Sequence, residues 1–216
     1  MERNSVDVKG KRRYDASRRQ AQAARTREAI LDVARRELLE NGYAATTVAR
    51  IAGEAGTSVE TVYKAFGGKS GIVRALWERG LGGRGPVPAP QRSDLMSSTE
   101  TDPARVLRGW GQLTTEVAPE LAPVLLLVRG AAASDPEMAE LLAEVEAQQR
   151  DRMGHNARRL HRRGWLRPGL GVTRATDIMC LYSSPALYEQ LVIKSGWPLK
   201  RYGEFVGDAL VAALLP

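Results

Sequence analysis

Cysteine, histidine and phenylalanine are scarce in this 216-residue chain, which holds one, two and two of them. A lone Cys180 can close no disulfide within the chain and supply no thiolate metal cluster. It fits a reducing cytoplasm, as a small buried apolar residue rather than a redox sensor. His155 and His161 stand six apart on one expected helix, so they do not share a face as ligands four apart would. There is no glycine-rich phosphate loop, no G-x-S-x-G, and no recognisable arrangement of Ser, His and acidic residues. An enzyme is therefore not expected, nor a metal or a cofactor. Long hydrophobic runs are missing too: the longest, residues 121–128, is far too short to span a bilayer and contains Pro123. The N-terminus is polar and basic, without the apolar stretch of a secretory signal. No segment alternates as a strand does, and no internal repeat is present.

What the chain does have is positive charge, unevenly placed. The formal net charge is +7. Residues 1–27 carry nine Arg or Lys against Glu2, Asp7 and Asp15, which leaves a body of almost no net charge. A basic arm on a near-neutral body is what contact with a phosphate backbone requires; a solvated tail has the same composition, and both readings stay open.

The pattern is all-α. Residues 1–17 lack periodicity and read as a disordered arm. A helix follows over about 18–40, with Ile30, Leu31, Ala34 and Leu38 on one face, and Asn41-Gly42 ends it. Short helices are expected at about 47–55 and 58–66, and a fourth at 69–80. The segment GGRGPVPAP (82–90) and the polar stretch after it make a mobile linker over 81–101. Beyond it, Asp102-Pro103 and Asp135-Pro136 look like N-caps with proline at the first helical position. They open helices at about 103–117 and 136–163, with another at about 120–133 between them. The last two helices, about 173–194 and 198–215, have the most continuous apolar faces. The chain thus divides into a first helical unit at 18–80 and a second at 102–216.

The segment VARIAGEAGTSVETVYKAF (48–66) has helix-turn-helix spacing. Two helices that cross closely need a small residue at the contact, Ala52. The tight turn needs a residue free to take positive φ, Gly56, and the second helix needs an aliphatic residue against the first, Val62. Thr57 and Glu60 fit a capping box, with Ser58 also able to cap. A helix N-terminus favours phosphate, and Glu60, Thr61, Tyr63 and Lys64 occupy the outward positions. Lys69, at the start of the next helix, sits where a phosphate contact is expected.

The stretch GYAATTVARIAGEAGTSVETVYKAFGGKSGIVRAL (42–76) resembles the DNA-binding domain of the TetR/AcrR family of bacterial regulators. Thr46-Thr47, Ile51-Ala52, Ala55-Gly56, Ser58, Thr61, Tyr63, Phe66 and Lys69 carry the resemblance, which covers about residues 20–80. The C-terminal pattern from Ser184-Pro185 through Gly196-Trp197-Pro198 resembles the family's dimerisation end less specifically. The resemblance implies a cytoplasmic bacterial homodimer, paired through the last two helices, on double-stranded DNA with an inverted-repeat operator. It also implies a repressor released by a small-molecule effector. Thr46 or Thr47, Ser58, Tyr63 and Lys69 would hold phosphates, and Thr61 would lie near base edges. Glu60 stands where a small residue is frequent and Ala65 where an aromatic is frequent. Glu60 either caps the helix or accepts from a cytosine amino group.

Trp110, Leu126, Met153, Met179 and Tyr182 fall on helices expected to surround a C-terminal cavity, and Asn156 could add a polar contact. Residues of these types are also ordinary core; as ligand lining they would suit an apolar or aromatic molecule. The alternative function is constitutive DNA binding without effector control.

Overall fold

The computed structural model describes residues 6–85 and 87–216, with side chains from residue 18 onward. Among the described residues the ordered elements are helical. They run α1 (Val6–Ala45), α2 (Val48–Glu54), α3 (Val59–Phe66), α4 (Lys69–Gly82), α5 (Ala89–Thr99), α6 (Pro103–Ala132), α7 (Pro136–Arg162), α8 (Val172–Tyr182), α9 (Pro185–Tyr188) and α10 (Leu199–Leu214). A π-helical turn, Glu189–Lys194, continues α9. Two compact units result, Met1–Ile72 and Val73–Pro216, and α4 begins in the first and ends in the second.

Unit 1 is α1 to α3 with the start of α4. Ile30, Leu31, Ala34 and Leu38 of α1 are buried together with Ile51, Ala52, Val62 and Ile72. The helical path of α1 is broken at Gly42 (φ 79°, ψ 168°), within the Asn-Gly pair expected to end the helix. Backbone helix extends from Val6, into the segment read as an arm. Lysine and arginine, both good helix formers, are frequent there.

Unit 2 differs from expectation in three places. The stretch 81–101 contains α5: proline at N2 suits a helix start, and serines 97 and 98 and Thr99 return their hydroxyls to carbonyls one turn back. Two arginine clasps hold this helix. Arg92 grips Glu116 of α6 in a fork, at 3.0 and 2.6 Å, and Arg152 of α7 reaches Asp94 at 3.0 Å. The helices expected at 103–117 and 120–133 are one, α6, which continues through Pro119 and Pro123. The helix expected over 173–194 stops at Tyr182, because Ser184 caps a new helix that starts with Pro185. Trp77 and Leu81, in the part of α4 that belongs to unit 2, wall a cavity with other residues of that unit.

The core of unit 2 lies among α6, α7, α8 and α10, around Leu107, Trp110, Leu160, Met179, Tyr202 and Val206. α6 and α10 meet backbone to backbone. A Cβ on Gly111 would come within 2.4 Å of the Gly203 carbonyl oxygen, so only glycine permits that approach.

Candidate functional site

The α2–α3 pair is built by local chemistry. Thr47 caps α2, its Oγ1 accepting from the Arg50 N–H at 3.2 Å. After Glu54 the chain turns at Gly56 (φ 63°), where the N–H groups of Gly56 and Thr57 donate to the carbonyls of Gly53 and Ala52. Ser58 then caps α3: its Oγ accepts from the Thr61 N–H at 3.1 Å and lies 2.8 Å from Thr61 Oγ1. The capping box of Thr57 with Glu60 is therefore not formed. Thr57 is still in the turn, and Glu60 points outward without a cap hydrogen bond. At the crossing Ala52 and Val62 are 1% and 0% exposed, as the spacing demands. At its far end α3 is closed by Gly67 in the left-handed region.

Opposite Val62, Glu60, Tyr63 and Lys64 face solvent and Thr61 is half-buried. Tyr63 leaves 52% of its surface open, unusual for a tyrosine in a folded unit. Ser58 and Thr47 are exposed at the two helix starts. Thr46 is not: it is 1% exposed, and its hydroxyl donates to the carbonyls of Glu37 and Gly42. It braces the end of α1, which leaves Thr47 as the threonine that a phosphate could reach. Lys69 is half-buried. Its Nζ donates to the Tyr43 and Thr46 carbonyls at 2.7 and 3.1 Å and sits 4.0 Å from the Tyr43 ring centroid. Its first role is to fasten the loop before α2, with one N–H left over for another acceptor.

Three residues without a signal in the helix-turn-helix spacing hold this face in place. Arg27 of α1 lies 4.3 Å from the Phe66 ring centroid and donates to the Ala65 carbonyl at 3.0 Å, so it ties the end of α3 to α1. Arg50 pairs with the buried Glu37 and with Glu54. Gly71 lets α4 pass so near α3 that an added Cβ would sit 1.7 Å from the Phe66 carbonyl oxygen. The Arg27 and Glu37 contacts bridge separate helices and the Gly71 approach depends on how α4 leaves α3, so spacing alone could not reveal them.

Unit 2 encloses a cavity of about 340 Å³, walled mainly by apolar and aromatic side chains. Trp110, Met153, Asn156, Met179 and Tyr182 all line it; Leu126 does not, and its neighbour Leu125 takes that place. A step of one residue turns a helical side chain by about 100°, which is enough to carry it off the cavity wall. Trp77, Tyr188 and Tyr202 complete an aromatic lining. Burial, aided by the neighbouring Tyr188, pushes the Tyr202 phenol up to about 12. Arg152 also reaches the wall, with Asp94 neutralising it. Burial alone would raise the Asp94 carboxyl, but Arg152, then His155 and Arg159, hold it below the ordinary range.

Residues 30–76 match the family model of the bacterial regulatory proteins of the tetR family. An uncharacterized HTH-type transcriptional regulator of Bacillus subtilis (strain 168), YvkB, is 37% identical over 70 residues, which are 32% of this chain and 37% of that protein's length. Among solved structures, SmeT, the repressor of the Stenotrophomonas maltophilia multidrug efflux pump SmeDEF, is 26% identical with a TM-score of 0.63. The match covers 88% of this chain and 90% of SmeT. NalD, the secondary repressor of the MexAB-OprM multidrug efflux pump in Pseudomonas aeruginosa, has a TM-score of 0.69 at 19% identity, over 90% of this chain and 98% of NalD. Over residues 30–76 the chain is similar to the tetR family of bacterial regulatory proteins. The TetR-family match lies within α1 to α4 and takes in the whole α2–turn–α3 element.

On the late helices, apolar side chains lie open. Leu181, Ile193 and Phe205 are 62%, 54% and 38% exposed, and Phe205 packs edge-on against Trp197 and Tyr182. Among the described residues no helix is long and apolar enough to cross a membrane.

Proposed function

We propose that the chain is a DNA-binding transcriptional repressor that leaves an inverted-repeat operator when a small molecule occupies the cavity of unit 2. The observation that carries this reading is the outer face of α3. It is a capped, rigidly seated helix whose Glu60, Tyr63 and Lys64 are open to solvent while Val62 locks its inner face. A helix so presented suits the major groove, with its first turn and the Ser58 and Thr47 hydroxyls toward phosphates. Thr61 would then approach base edges, and Glu60, free of any capping role, would accept from a cytosine amino group.

The apolar surface at Leu181, Ile193 and Phe205 supports pairing of two copies through the last helices, α8, α9 with its π-helical turn, and α10. Two-fold symmetry would space two copies of α3 for two half-sites. The cavity favours effector control over constitutive binding, and the resemblance in fold to SmeT, which has been solved with triclosan, points the same way. A ligand that prefers the conformation with wrongly spaced recognition helices would weaken operator binding roughly 5- to 150-fold. Selection of genomic DNA fragments by the purified protein tests the first step. An inverted repeat is expected among the enriched fragments, and a pool without any common sequence would overturn the proposal.

A further inference from the structure

We infer that α5 is the gate of the unit 2 cavity: it detaches from α6 and α7 while the rest of the unit stays folded, and Arg152 is its latch. The gate gives the effector reading a route of entry and rests on that reading for its guest, though not for its motion.

The walls of the cavity are not equally costly to move. Trp110 of α6, Met179 of α8, and Tyr202 and Val206 of α10 line the cavity and also belong to the buried core. Displacing any of these helices would open that core to water. α5 adds Ala89, Pro90 and Ser93 to the wall. Its inward face, Ala89, Ser93 and Ser97, recurs every four residues and carries small side chains, so its release exposes little apolar surface. Leu95 points away, 63% exposed, and Met96, half-buried over Gly109, is the bulky inward contact.

What holds α5 is mainly polar. Arg152 of α7 donates to the Asp94 carboxylate and to the Pro90 carbonyl, at 3.0 Å each, so one side chain grips two successive turns. His155 and Arg159 stand farther from Asp94, at 3.4 and 3.5 Å. The Arg92–Glu116 fork and Arg163, which donates to the Ser97 and Glu100 carbonyls, complete the clasps. The side chains of Arg152, Asp94, Arg92 and Glu116 are between 25% and 40% exposed, so water can take over each bond as it breaks. A segment with few apolar contacts and many such bonds is the first to open. Arg152 is the latch because it also stands in the cavity wall, where an arriving or departing guest meets it.

Thiol labelling of the full chain tests the motion. In a Cys180→Ala background one new cysteine is placed either on the inward face of α5, by Ser93→Cys, or in α8 at a site 5% exposed, by Thr176→Cys. The reagent is iodoacetamide, which is uncharged, and each rate is divided by that of the same variant unfolded in urea. Ser93→Cys is expected to react at least about tenfold faster than Thr176→Cys, at a rate almost independent of urea below the unfolding transition, because a local opening exposes little surface. The Thr176→Cys rate should climb with urea. Arg152→Met keeps the apolar stem and removes both bonds; it should speed Ser93→Cys about tenfold and change Thr176→Cys less than about twofold. Asp94→Asn should act in the same direction and serves where the methionine variant does not fold. Equal rates at the two sites, equal urea dependence, or a latch variant that speeds both sites or neither overturns the gate and leaves the effector reading standing. Passage of a guest is read with N-phenyl-1-naphthylamine, an uncharged fluorescent probe. In Glu116→Gln, which lies outside the wall, its association and dissociation should both quicken about threefold. Unchanged rates would overturn α5 as the route, and a probe that does not bind the wild-type chain would overturn the effector reading itself.

Discussion

At Lys69, two of the three ammonium N–H groups are committed to the Tyr43 and Thr46 carbonyls, while at Tyr63 more than half of the side chain meets only solvent. The two residues resemble each other as polar contacts in the sequence, yet their removal should differ in kind. Tyr63→Ala is expected to weaken operator binding about five- to tenfold, the worth of roughly one hydrogen bond to a phosphate, and to leave thermal unfolding unchanged. Lys69→Ala should lower the stability of the DNA-binding unit by about 1–2 kcal/mol, since two carbonyls lose a charged donor at a half-buried site. Denaturant melts beside gel-shift titrations of both variants separate the two effects. A Lys69→Ala protein as stable as wild type would show that the fastening is not needed. The contrast also marks how far spacing can be read. Ala52, Gly56 and Val62 were legible because a helical crossing constrains near neighbours. The burial of Thr46 and the clamp at Lys69 were not, because their partners are carbonyls that only the folded chain brings close.

Among the elements, α5 is the one composition concealed. Its proline and serines resemble a loop, and what makes it a helix is largely tertiary: the Arg92–Glu116 fork, the Asp94–Arg152 pair, and Arg163 donating to the Ser97 and Glu100 carbonyls. The same holds for α6, where two prolines suggested a break that packing overrides, and for α9, whose start was hidden inside a continuous apolar face. Acid should loosen α5 first. The Arg92 hydrogen bonds, foremost, hold the Glu116 carboxyl below its ordinary 4.5 in the fold. A carboxyl with a lowered folded value contributes fully above about 4.5, and its contribution fades as pH falls through the folded value. Hydrogen-exchange protection of α5, corrected for intrinsic rates, is therefore expected to drop when pH is taken from 7 to below 4.5. In Glu116→Gln it should be lower at pH 7 and change less on acidification. Equal pH responses in the two proteins would remove this fork from the account.

For the molecule as a whole, charge and the distribution of tryptophan matter more than any single contact. If the basic N-terminal segment follows the DNA backbone, deletion of residues 1–17 removes five Arg or Lys and should weaken binding to specific and random DNA alike. The slope of log affinity against log salt should flatten by about 0.9 for each phosphate that the shortened protein no longer neutralises; an unchanged slope would make the segment a solvated tail. Fold class was readable at this scale because helical periodicity is a property of long stretches. The cavity of unit 2 was legible only in part, since its walls come from helices far apart in the sequence. That cavity also settles what light can report. All four tryptophans lie beyond residue 72, and Trp77 and Trp110 stand in the cavity wall. Indole emission should thus answer directly to a guest molecule and only at second hand to a duplex. Any change in emission on adding operator DNA would measure what passes from one half of the protein to the other.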